Sequence, residues 1–274
     1  MNMKSQVSGI HHVSAFSSDL QRTTDFYTVV LGLHFIKKQA YWDNPEVNHV
    51  FFGTGKRMSQ AILSFSPYEE EKQGRHGTAM VNTTTFSVSA KAMEFWLNRF
   101  EQYNVPYKHP QERFEGEVVV YFEDRDGLGL ELVFNDKDQR SGIENPNIAV
   151  ENALRGLYNV EIWERSYGRT ETMLMQYLNH RLVAQKGDRF RYAVTDTPGN
   201  YVDVLFTSAA PKSFYGSGTV DRLAFFISDR DALFALREQI KKIDKEVSFI
   251  VDRKDLQSIT FSSATGLELE VVSP

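Results

Sequence analysis

The chain repeats itself, and this limits its fold more than any other feature. The segment "HHVSAFSSDLQRTTDFYTVVLGLHFIKK" lies over "YNVEIWERSYGRTETMLMQYLNHRLVAQ" at an offset of 147 residues, with His12 meeting Asn159. The segment "FEDRDGLGLELVF" lies over "FSSATGLELEVVS" at an offset of 139, with Glu131 meeting Glu270. The second offset also carries Thr83 onto Arg222 and lays "NTTTFSVSAKAMEFWLNRF" over "DRLAFFISDRDALFALREQ". In the first pair a short alternating strand runs through a polar turn into an apolar-periodic helix, Thr23 to Leu31 and Thr170 to Leu178, and a further strand follows. In the second pair of long segments a strand again leads into a helix.

Four units result, at about 8–67, 79–135, 155–207 and 218–273, each reading as strand, helix, then about three strands. The joints "SPYEEEKQGRHG", "NDKDQRSGIENPNI" and "TSAAPKSFYGSG" are polar or broken by Gly and Pro. The expected fold class is α+β: four βαβββ modules forming two paired, cupped mixed β-sheets with flanking helices. Two domains are expected, 1–140 holding the first two modules and 150–274 holding the last two.

Composition removes several function classes. The 274 residues include no cysteine, so disulfides, thiolate metal sites and cysteine nucleophiles are excluded. A net charge of −5 without a long basic run gives no electrostatic case for nucleic acid or an anionic membrane surface. No apolar stretch approaches the roughly 20 residues that span a bilayer. The start, "MNMKSQVSGIHHV", lacks a signal-peptide core, so a cytoplasmic location is expected. "GTGKR" at 53–57 lacks the spacing and following helix of a phosphate loop. No Gly-x-Ser-x-Gly elbow occurs.

The opening "GIHHVSAFSSDLQRTTDFYTVVLGLHFIKK", with "HVFFGTG" at 49–55, "RFEGEVVVYFEDRDGLGLELV" at 113–133 and "VDRKDLQSITF" at 251–261, resembles the vicinal oxygen chelate superfamily. That superfamily includes glyoxalase I, bleomycin-resistance proteins and extradiol ring-cleaving dioxygenases. The likeness covers nearly the whole chain and is nearest to four-module, hydroquinone-type ring-cleaving dioxygenases. It implies that the first and fourth modules share one cup. It also implies Fe(II) or another divalent metal, held by two His and one carboxylate with open positions for substrate and oxygen.

Carried over residue by residue, the resemblance makes His12 the first metal ligand and Glu270 the carboxylate. The second His falls at Arg222, preceded by Asp221, so a "VHHIAF" pattern has become "VDRLAF". Arg253 matches a substrate-side, catalytic Arg. Thr260 stands where a Tyr is usual, and Ser14 where a Thr is usual. The substrate-binding candidates are therefore Ser14, Asp221, Arg222 and Thr260.

Arg222 cannot act as the missing ligand, because a guanidinium stays protonated and offers only donors. The metal is then expected to be lost, with Arg222 in its place, paired to Glu270 beside His12. The competing expectation keeps the metal, with Asp221 or His49 as the third ligand. Strand parity sends His11 and His12 to opposite faces. Glu131, with Thr83 and Asn159 as companions, reads as a polar group on a cup wall rather than part of a second metal site.

Two functions stay open. One is a ring-cleaving dioxygenase for aromatic diols or hydroquinones with an altered triad. The other is a metal-free protein that binds or sequesters a small aromatic or phenolic ligand, as in the bleomycin-resistance branch. Met173, Met175 and Tyr177 read first as core packing and second as a self-association face, so the sequence leaves an oligomer open.

Overall fold

In the computed structural model, residues 7–40, 47–57, 61–68, 72–243, 246–252 and 256–274 are described. The first module comprises β1 (Val7–Ser17), α1 (Leu20–Asp25), β2 (His34–Ala40), β3 (Asn48–Gly53) and β4 (Ala61–Pro67). The second comprises β5 (Val81–Val88), α2 (Met93–Gln102), β6 (Gln111–Glu112), β7 (Val118–Glu123) and β8 (Gly129–Phe134). The third comprises β9 (Leu157–Glu164), α3 (Arg169–Thr172), β10 (Arg181–Lys186), β11 (Arg189–Ala193) and β12 (Tyr201–Phe206). The fourth comprises β13 (Val220–Ile227), α4 (Arg230–Ile240), β14 (Val251–Asp252), β15 (Gln257–Ser262) and β16 (Glu268–Ser273).

These modules make two eight-stranded sheets. One runs β14-β15-β16-β13-β1-β4-β3-β2 and joins the fourth module to the first. The other runs β10-β11-β12-β9-β5-β8-β7-β6 and joins the third to the second. The joining pairs, β1 with β13 and β5 with β9, are antiparallel. Within each module the first and last strands are parallel, so the sheets are mixed, in line with the expected class. Each sheet draws strands from both sides of the 140–150 joint.

Alternation along the strands sorts side chains between the two faces of each sheet. The core-facing positions are apolar: Val13, Leu63, Leu223, Phe225, Leu269 and Val271 are all within 1% of fully buried. The facing helices supply Tyr27, Trp96, Phe100, Leu233 and Leu236 to the same core. The opposite, cupped positions are polar yet sequestered: His12, Thr83, Thr85, Glu131, Asn159, Glu161, Asp203 and Glu270 are all buried. A row of buried polar groups must find partners within the protein, and those partners define both cups.

The two amphipathic helices of the first and third modules appear where their periodicity predicts, but neither stays α-helical to its end. Phe26–Val30 and Met173–Tyr177 are π turns, closed by Leu31 N–H to Phe26 O and Leu178 N–H to Met173 O. The third-module turn buries Met173, half-buries Tyr177 and exposes Met175, so the first two are packing residues. Among the described residues no helix is long and apolar enough to cross a membrane.

Candidate functional site

The first cup is built on the β1–β13 seam. Register places His12 opposite Ala224, Ala224 beside Glu270, and Glu270 opposite Thr260. These four residues form one row across four strands. The next row contains Phe51, Ser64, Ser14 and Arg222, and the hydroxyls of Ser14 and Ser64 are hydrogen-bonded at 2.8 Å. Arg222 is thus diagonal to His12, a separation of about 7–8 Å between backbones that a long side chain can cross. The structure therefore gathers His12, Ser14, Arg222, Thr260 and Glu270 on one face. Arg253 lies outside the described residues.

His12 and Glu270 are buried at 8% and 1% exposure, whereas Arg222 and Asp221 are half-buried. The Arg222 Nε donates to Asp221 Oδ2 at 2.8 Å, so the charged pair at the head of β13 is an ion pair. Behind it stands an aromatic wall that motif reading missed. Phe16 packs edge-on against Tyr68 and Tyr215, with ring centres at 5.0 and 6.2 Å. Burial, with the charges of Glu268 and Asp221, holds the Tyr215 phenol protonated well past its usual range. Single aromatic residues in polar joints carry no periodic signal, which is why Tyr68 and Tyr215 were not singled out.

His11 departs from the parity expectation. The register slips between Ile10 and His12, where a β-bulge inserts one extra residue and so resets the alternation of faces. His11 consequently swings to the cup side. Its ring stacks on Phe226, with centres at 6.0 Å, and its Nδ1 is 2.8 Å from His12 Nδ1. One of these nitrogens must carry the proton. Burial lowers the His11 pKa, and the charge of Glu270 acts in the opposite sense. Both histidines therefore face the carboxylate.

His49, the alternative third ligand, is in the row of Phe16 and Ser66, as the neighbouring register requires. Four residues along a strand, about 13 Å, separate that row from the row of His12. Of the three ligand positions that the resemblance implies, two carry His12 and Glu270 and the third carries the Arg222 guanidinium. Among the described residues no three His, Asp or Glu side chains gather as a metal-holding group. A guanidinium only donates hydrogen bonds, so Arg222 does not match the His that the resemblance implies at that position.

In the second cup Glu131 occupies the place of Glu270, with Thr83 and Asn159 where the offsets put them. Arg113 pairs with Glu131, and Thr85 Oγ1 donates to Glu131 Oε2 at 3.2 Å. Asn159 Nδ2 donates to Asp203 Oδ2 at 3.1 Å. Glu131 is thus a buried carboxylate paired within the cup.

The paired βαβββ modules set one cup on the seam between the first and the last. Residues 9–132 match the Glyoxalase/Bleomycin resistance protein/Dioxygenase superfamily, so the chain carries a domain of that superfamily. A Bacillus subtilis (strain 168) protein named "Putative ring-cleaving dioxygenase MhqO" is 29% identical over 271 residues, covering 99% of this chain and 86% of the relative. The chlorohydroquinone/hydroquinone 1,2-dioxygenase of Sphingobium indicum is 24% identical, over 88% of this chain and 77% of that protein. The crystal structure of a "putative dioxygenase" from Bacillus subtilis subsp. subtilis str. 168 superposes with a TM-score of 0.88 at 29% identity, covering 98% of this chain and 86% of that one. Glyoxalase I from Zea mays shares the fold, with a TM-score of 0.74 at 14% identity over 97% of this chain and 92% of its own.

Proposed function

We propose that the first cup binds a small phenolic or aromatic molecule, and that the chain has exchanged metal-dependent ring cleavage for recognition. The observation that carries this reading is Arg222, a permanent cation at the second His position, with its Nε held by Asp221. A dication there would meet a like charge, a repulsion of about 8 kcal/mol at about 4 Å and an effective dielectric near 20. Arg222 is also proposed to reach across the diagonal and neutralise Glu270. His12 and His11 supply one donor and one acceptor to a ligand hydroxyl, Ser14 and Thr260 flank it, and Phe16, Tyr68 and Tyr215 face its ring. Arg253 is proposed as a substrate-side cation.

The test is elemental analysis of the purified protein combined with titration by methylhydroquinone under argon. Metal well below one equivalent with saturable binding is expected, and stoichiometric iron, manganese or zinc would overturn the reading. In the double variant Asp221→His, Arg222→His, iron affinity should rise by at least tenfold. An unchanged affinity would show that position 222 is not the third ligand position.

A second reading is a ring-cleaving dioxygenase acting on aromatic diols. It is supported by the named activities of the relatives and by the bulge that sets His11 beside His12. Oxygen uptake with hydroquinones after iron loading separates it from the first.

A further inference from the structure

The second cup holds a pocket of about 170 Å³ that the reading of the first cup leaves unused. Its floor is Thr83, Glu131 and Glu161, and its walls are the rings of Tyr121 and Trp163. Both oxygens of each carboxylate are engaged. Glu131 takes Arg113 and the Thr85 hydroxyl. Glu161 takes Trp163 Nε1 at 2.8 Å on one oxygen, and Arg113 at 2.6 Å with Arg189 on the other. Deeper in the cup Arg191 is held by Glu117 and Asp203 at 2.5 and 2.7 Å, so that guanidinium is committed inward.

The pocket offers donors, with the exposed His109 and Gln111 also at its rim. Lys108 stands at the mouth, its ammonium 4.3 Å from the centre of the Tyr121 ring. Arg113 is fixed beside it by two carboxylates, and Thr83 offers a hydroxyl. A lysine over one aromatic face and an arginine fixed by two carboxylates, beside carboxylates whose oxygens are engaged, suit a flat ligand that brings its own acceptors. The volume lies below the range of drug-sized sites and suits a single ring. We infer that the second cup is a binding site for a small aromatic carboxylate, with the carboxylate on Lys108 and Arg113 and the ring between Tyr121 and Trp163. This site is independent of the reading given for the first cup.

Benzoate is the probe, titrated into the full-length protein while the fluorescence of Trp163 is followed. Saturable quenching is expected, and it should vanish in Trp163→Phe. Lys108→Met, at an exposed position, should weaken benzoate binding at least fivefold, and the neutral isostere benzamide should bind the unsubstituted protein at least fivefold more weakly. His12→Ala, in the first cup, should leave the titration unchanged. No saturable signal, equal affinity for benzoate in Lys108→Met, equal affinity for benzamide, or loss of the signal in His12→Ala would each overturn the assignment.

Discussion

At the scale of single residues, the two cups handle buried charge in different ways. The second cup pairs its buried carboxylates with guanidinium groups. Arg191, at 4% exposure, pairs with Glu117 and Asp203 and lies 4.2 Å from the Phe114 ring centre. Replacing it by Met keeps the bulk but strands two buried carboxylates. Arg191→Met is therefore expected to lose about 3–5 kcal/mol of stability, read from urea unfolding. Adding Glu117→Gln and Asp203→Asn should recover part of that loss, because the uncompensated charges go with them. The family resemblance and the repeat offsets together singled out His12, Arg222 and Glu270, and period-two alternation gave their faces. They misplaced His11, because a bulge adds one residue without marking itself in the residue types. They were silent on Arg113, whose reach to Glu131 and Glu161 depends on the path of the segment after β6.

At the scale of elements, helix positions were legible and their internal geometry was not. Apolar spacing distinguishes a helix from a strand, but not an i→i+4 ladder from an i→i+5 turn. The π turn after α1 leaves carbonyls at Val29 and Val30, and Arg99 from α2 caps them. Its Nε donates to Val30 O at 2.7 Å and its Nη2 to Val29 O at 2.6 Å. Burial lowers the Arg99 pKa, yet a guanidinium keeps its proton at any ordinary pH. Arg99→Met should cost about 2–3 kcal/mol, seen as a lowered thermal midpoint, because two charged hydrogen bonds are lost and two carbonyls are left under cover. α4 is capped more simply, by Asp229 accepting from Ala232 N–H at 2.8 Å. Asp229→Ala should cost about 1 kcal/mol in the same measurement.

At the scale of the whole molecule, the third and fourth modules meet where His180 packs edge-on against Phe225, ring centres 5.2 Å apart. Its Nδ1 is 2.7 Å from Leu178 O. Burial lowers its pKa to about 4 from a reference of 6.5. A histidine depressed in the fold contributes stability that is present above 6.5 and is lost as pH falls toward 4. Asp124 runs the other way: burial raises it from 3.8 to about 6, so its contribution is full below 3.8 and fades as pH rises through 6. The two can be separated by substitution. Between pH 7 and 4.5, His180→Gln should lose about 2–3 kcal/mol less than the unsubstituted protein, read from urea midpoints at both values.

The seam between β1 and β13 also sets an order of events during synthesis. β5 finds β9 across the span from Thr84 to Val160, while β1 must wait for a partner that begins at Val220. Closing the longer span costs only about 1 kcal/mol more, so thermodynamics barely separates the two seams. A ribosome separates them by the time taken to make some sixty further residues, several seconds at ordinary elongation rates. Throughout that interval the Val7–Ser17 edge stands open, with unpaired backbone groups and apolar Val13 and Ala15, in a form that invites pairing with other chains. The nascent first module therefore carries an edge-pairing hazard until the last module is made.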